Sequence, residues 1–373
     1  MSSKAGAMRE IVVVGGGIVG WSAAVALKRR LPALEVTLLP VEPPPDALAD
    51  RMVPTLPSIV EFHHDVGLTE ADTVVRAASG FRLGTRFEGW APEPESYVHA
   101  YGEYGLALGP VPFHQHWLRA AQGSSVPRFD RYSAAAALAS SGRFIHPQDG
   151  ADPLASSFGY GLHIEPPSYC EMMRAFALHL GVRERPGQIN GVRLRSIDGF
   201  VEALAMEGGE ELGGDLFVDA SGPAAIIRSA IDPKREDWSK WLPADRILIA
   251  EQPGRGEATP LDRCVAEEAG WWWEVKAPSR TSHGLVYSSR HLSEDESARL
   301  LRKAAGADPA QAAIALAPGR FGEPWLRNCV AIGDSAIAIE PLEWTNLHLA
   351  HSAIDRMVAM MPDRDCNPVE LWD

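Results

Sequence analysis

Cysteine is scarce and unpatterned: Cys170, Cys264, Cys329 and Cys366 lie far apart and form no CxxC pair. That spacing fits reduced thiols in the cytoplasm better than a disulfide framework or a zinc site. Long apolar runs are missing too, and none approaches the roughly 20 residues that cross a bilayer. Met1–Glu10 is polar and leads straight into a strand, so a cleaved signal peptide is not expected there. Positive charge is in deficit, with a formal net charge of -14 and no basic stripe. Without such a stripe no counterions are released from phosphates, which argues against nucleic acid and anionic membrane surfaces as partners. Lysine is absent from the whole stretch between Lys28 and Lys234.

What is present is a large apolar reserve. Hydrophobic residues make up 46% of the 373, enough for two closely packed domains. Ile11 to Val14 is a short continuous apolar run, as expected of a parallel strand buried on both faces. Gly15-Gly16-Gly17-Ile18-Val19-Gly20 follows directly. The spacing then predicts a helix over Ile18–Leu31, with Lys28, Arg29 and Arg30 in its last turn and Pro32 as its stop. Glu35–Leu39 reads as a second apolar strand, which completes a βαβ opening. In such a loop the first glycine permits the tight turn and the second lets backbone approach a pyrophosphate. The third packs helix on strand, and the helix N-terminus supplies free N–H groups and a favourable dipole. An acidic residue is expected at the end of the second strand to hold a ribose, but Pro40 stands there. Glu42, two residues on, is either that partner or a solvated loop carboxylate.

Further helices are expected over Pro57–Val66, Ser168–Leu180, 294–317 and Thr345–Met361. Strands are expected over Phe81–Trp90, Tyr97–Leu108, Gly191–Leu194, Val201–Met206, Leu216–Asp219, much of 245–292, and Val330–Ile332. Two of these strands end in turns, Asp219-Ala-Ser-Gly222 and Ala331-Ile-Gly-Asp-Ser335. With the N-terminal loop, these turns resemble the sequence marks of glutathione-reductase-type FAD folds. The fold class is therefore α/β: an FAD-binding Rossmann-like domain with an inserted, strand-rich substrate domain. The expected division is 8–80, 185–235 and 325–373 for the FAD domain, and 81–184 and 236–324 for the substrate side.

The residues then narrow to a family. Gly15 to Ala24 with Trp21 after the loop, Thr55-Leu-Pro-Ser58, Gly270-Trp-Trp-Trp-Glu-Val-Lys276 and Gly284 to Ser289 match it in order. So does Asn328 to Gly333, followed by Glu340-Pro-Leu-Glu-Trp-Thr-Asn346. Together they resemble the tryptophan halogenase family of flavin enzymes. The resemblance implies that reduced FAD, delivered by a separate NAD(P)H-flavin reductase, reacts with oxygen. Chloride or bromide is then oxidised, and the hypohalous acid passes down a tunnel to a small electron-rich aromatic substrate.

On that resemblance Gly15, Gly17, Ile18, Val19, Gly20, Glu42, Gly333, Asp334 and Leu347 would contact the cofactor, and Thr345 and Asn346 the halide. Glu343 falls on the family's catalytic glutamate. Arg82 stands where the catalytic lysine belongs, as an oxidant-positioning group or a solvated strand arginine; it stays protonated and cannot act as an amine. Trp344 and Asn346 replace a Ser and a Gly of the halide turn, and the family's C-terminal helical lobe is expected to be absent beyond Asp373. A flavin monooxygenase that hydroxylates directly, and a catalytically inactive flavin-binding homologue, remain open alternatives. The oligomeric state is open, a homodimer being one expectation.

The remaining candidates have plain structural readings. Trp271, Trp272 and Trp273 alternate as strand residues do, so at least one is core. His63-His64 and His114-Gln-His116 have no acidic or thiol partner in pattern and read as packing or surface histidines.

Overall fold

A computed structural model of the chain describes residues 6–92, 95–148, 156–254 and 258–366. The tail of the expected FAD domain, 367–373, lies outside the described residues, as do the first residues of the Met1–Glu10 segment.

Glu10–Val14 is central in a six-stranded sheet, with Leu216–Asp219 on one side and Glu35–Leu39 on the other, both parallel to it. Ile11 pairs with Leu216 and with Val36. Cys329–Ala331 extends the sheet in parallel beyond Leu216–Asp219, and Trp325–Leu326 closes that edge antiparallel. Side chains alternate between faces, so Ile11 and Val13 enter one core while Val12 and Val14 enter another. The first core is covered by helices Ile18–Arg30, Ser58–Val66, Pro166–His179 and Thr345–Ala359. The second packs on a small antiparallel sheet of Ile189–Leu194, Val201–Met206 and Glu211–Gly213. Three layers result, and continuous apolar strands are what a doubly covered sheet requires.

The other large sheet has seven strands, mostly antiparallel. In spatial order they are Ile314–Ala315, Arg246–Pro253, Arg280–Tyr287, Gly270–Lys276, Leu261–Glu267, Gly84–Glu88 and Ser96–Ala100. Trp271 and Trp273 point into its core with Phe87, Cys264 and Trp344. Trp272 points the other way, beneath the Arg263 guanidinium at 5.3 Å. The tryptophan run therefore alternates across a strand, with two of the three rings fully in the core.

Several expected boundaries move. Helix Pro166–His179 packs on Ile18–Arg30, and strand Arg183–Glu184 pairs with Thr37 and Leu38. Residues 166–184 therefore belong with the nucleotide layers rather than with the substrate side. The helix expected over 294–317 ends at Ala305, where Gly306 takes a left-handed φ of 67° and the backbone N–H caps back to Arg302. Pro309 then bars its resumption. The strand expected over Tyr97–Leu108 runs only over Ser96–Ala100 before turns take over.

Candidate functional site

The glycine loop joins the first strand to the first helix under tight steric limits. A Cβ on Gly15 would lie 2.3 Å from the Ala220 carbonyl oxygen, and one on Gly20 would lie 2.1 Å from that of Gly15. Gly15 also has a φ of 147°, which L side chains rarely adopt. The Gly15 amide donates to the Leu39 carbonyl, and Gly16 to that of Val41. The loop is thereby pinned to the end of the second strand and the residues just after it.

Beside it opens a cavity of about 500 Å³ lined by Gly16, Gly17, Ile18, Glu42, Arg51 and Trp344, among others. Of the expected cofactor residues, Gly17, Ile18 and Glu42 face this space; Gly15, Val19 and Gly20 stand behind them in the turn and helix. Gly333 packs against this helix, since a Cβ there would meet the Val19 side chain at 3.1 Å. Asp334 accepts the Ala49 amide at 2.7 Å. Its carboxyl is fully buried and pushed up to about 8, mainly by burial, with Asp50 and Asp46 adding to the shift. Leu347 sits with its side chain in the helical core rather than on the cavity wall.

Distant from the glycine loop in sequence, Trp344 is 1% exposed, lines the same cavity, and meets Trp273 edge-on with ring centroids 5.4 Å apart. Both Glu343 and Trp344 have a φ of 60°, an uncommon conformation for large side chains. This tight turn sends the two side chains in different directions. The Glu343 carboxylate accepts a hydrogen bond from His99 Nδ1, at 2.9 Å. That bond raises the His99 pKa above its ordinary value, against the opposing effect of partial burial. His99 in turn lines an apolar groove with Tyr97, Tyr104, Trp117 and Phe129. Thr345 begins helix Thr345–Ala359, and the Asn346 side-chain amide donates to the Ile339 carbonyl at 3.1 Å. Among the described residues, the Asn346 Oδ1 and Trp344 Nε1 atoms are buried without a hydrogen-bond partner.

Arg82 is not a solvated strand arginine. It is 0% exposed, and all three guanidinium nitrogens are engaged: Nε with Asp262 at 2.5 Å, Nη1 with the Thr55 carbonyl at 2.9 Å, and Nη2 with Thr85 Oγ1 at 2.7 Å. His163 Nε2 holds the other oxygen of Asp262 at 2.7 Å. Burial raises the Asp262 carboxyl, but Arg82 and His163 outweigh it and hold it below its ordinary value. His63 is likewise structural: it is buried, hydrogen-bonded to Tyr169, and pushed down to about 4 by burial.

Sequence reasoning missed His99, because nothing local marks one strand histidine as the partner of a residue 244 positions away. It also missed Asp50, which faces the glycine loop from the other wall.

The family model for tryptophan halogenases matches residues 10–372. The tryptophan 7-halogenase RebH of Lentzea aerocolonigenes is 28% identical over 98% of this chain and 72% of its own length. Among solved structures, BrvH, a flavin-dependent halogenase from Brevundimonas sp. BAL3, superposes with a TM-score of 0.90 at 34% identity. The match covers 98% of this chain and 74% of that one. The tryptophan 6-halogenase SttH of Streptomyces toxytricini superposes at 0.88 with 26% identity, covering 98% of this chain and 75% of that one.

Proposed function

Because the chain belongs to the tryptophan halogenase family, we propose that it is an FAD-dependent oxidoreductase that halogenates a small electron-rich aromatic such as an indole, phenol or pyrrole. A separate reductase supplies the reduced flavin, and chloride or bromide is the second substrate. The observation that carries this reading is the Glu343–Trp344 turn. Trp344 walls the glycine-loop cavity, and the preceding Glu343 presents a carboxylate to His99 at an aromatic groove.

The residues fit the flavin. The glycine loop has no room for a Cβ at Gly15 or Gly20, and it presents first-turn amides and a helix dipole to the cavity. Glu42 at the cavity wall is the carboxylate offered to a ribose, while Gly333 packs behind the loop against Val19. Bound reduced flavin supplies the electrons that activate oxygen. The protein's own part is positional: Tyr97, Tyr104 and Phe129 enclose an aromatic ring and exclude water. His99, drawn toward its charged form, fixes one oxygen of Glu343. The other oxygen is left to take the proton that leaves the ring carbon as halogen replaces it.

A hydroxylase on the same scaffold is the second reading. It is favoured by one specific pair of observations: Trp344 fills the turn expected to hold halide, and Arg82 is locked to Asp262 where a lysine was expected. The deciding experiment supplies the purified protein with FAD, a flavin reductase, NADH, bromide and a panel of indoles and phenols. Brominated products are expected by mass spectrometry. Products that gain only oxygen would overturn halogenation in favour of hydroxylation.

A further inference from the structure

We propose that the carboxylate of Asp50 occupies the flavin pyrophosphate cradle and that FAD must displace it to bind. The proposal rests on the flavin reading above and adds a residue that sets the affinity of that site. Helix Ile18–Arg30 has no side-chain cap from Gly17 and no acidic residue in its own first turn. The cap comes instead from a distant loop. The Val19 amide donates to Asp50 Oδ1 at 2.9 Å, and the Ile18 amide also draws on the same carboxylate. A Cβ on Gly17 would lie 2.3 Å from Oδ1, so the carboxylate covers the open face of that glycine. This is the face across which a phosphate approaches such a loop.

Asp50 is an internal anion in the place where the cofactor's anion belongs, and two anions cannot share the same amides. The surroundings do not relieve the conflict. The buried Asp334 carboxyl lies close enough to feel the Asp50 charge, Cys170 stands close on helix Pro166–His179, and Arg51 is the adjacent cation. Burial pushes the Asp50 carboxyl up to about 6, even though the Val19 and Ile18 amides and Arg51 pull it down. A pyrophosphate entering beside an ionised Asp50 would meet this same unfavourable environment with more charge. Displacement of the carboxylate resolves the conflict, since the helix exchanges one anionic cap for another. Binding is then weakened by the free energy of the cap that is lost.

The test is equilibrium binding of FAD and of riboflavin, followed by flavin fluorescence, on the full chain and its Asp50→Ala and Asp50→Asn variants at one mildly alkaline pH. Removing the charged cap is expected to tighten FAD by about tenfold in Asp50→Ala, with a smaller gain in the same direction in Asp50→Asn. Riboflavin, which carries no phosphate, is expected to bind equally to all three proteins. Asp50→Asn keeps the side-chain shape, so it carries the test if Asp50→Ala does not fold. Unchanged or weaker FAD binding in the variants overturns the proposal and leaves the flavin reading standing. Equal tightening of riboflavin also overturns it, because it marks a general widening of the cavity. If neither the wild type nor the variants bind FAD, the flavin reading falls and this proposal falls with it.

Discussion

Restoring a lysine by Arg82→Lys would repair the family's catalytic pattern on paper, yet the structure turns it into a test of folding. Arg82 and Asp262 are both 0% exposed, and the guanidinium satisfies a carboxylate, a backbone carbonyl and a hydroxyl at once. An ammonium on a straight stem cannot reach all three in the planar arrangement that a guanidinium spans. At least one of Thr55 O and Thr85 Oγ1 is left buried without its donor, at a cost of about 1–3 kcal/mol. Weakening the buried ion pair adds to this, for a total of about 3–5 kcal/mol. In thermal unfolding followed by circular dichroism, that is a fall of roughly 4–6 °C. No gain in bromination is expected, because Asp262 and His163 keep the new ammonium inside the network. A variant within about 1 kcal/mol of wild type would refute the buried network, and a variant that brominates faster would show that position 82 does reach the oxidant.

Three other outcomes follow from the geometry. Glu343→Gln should lower halogenation by about a hundredfold or more while leaving FAD binding intact. The same variant should return the His99 pKa toward its ordinary value in an NMR titration, since the hydrogen bond to Glu343 is the main cause of its rise. Asp334 has a folded pKa raised to about 8, so the folded chain holds that proton more tightly than the unfolded chain. Its stabilising effect is complete below the ordinary carboxylate range and is lost as pH rises toward about 8. Asp334→Asn should therefore raise the thermal midpoint relative to wild type at alkaline pH and change it little in mild acid. Gly20→Ala places a Cβ 2.1 Å from the Gly15 carbonyl oxygen, so FAD titration should show binding lost, with a lower thermal midpoint.

The sequence by itself determined the nucleotide layers, because their signals are local. A continuous apolar strand, a glycine turn and an alanine-rich buried helix are dictated by neighbours a few residues apart, and helix Ile18–Arg30 forms within one residue of its expected end. The two later turns at Asp219 and Gly333 were legible for the same reason. Motif order was enough to point to the family, and to Glu343 and Arg82 as candidates. Which partners those two residues meet was decided by the tertiary structure. Arg82 meets Asp262 across 180 positions, Glu343 meets His99 across 244, and Asp50 reaches the first helix across 31. Burial and long-range charge pairing arise only when distant strands are brought side by side. The same physics that made the glycine loop readable from its own residues kept its internal anion hidden until the chain was folded.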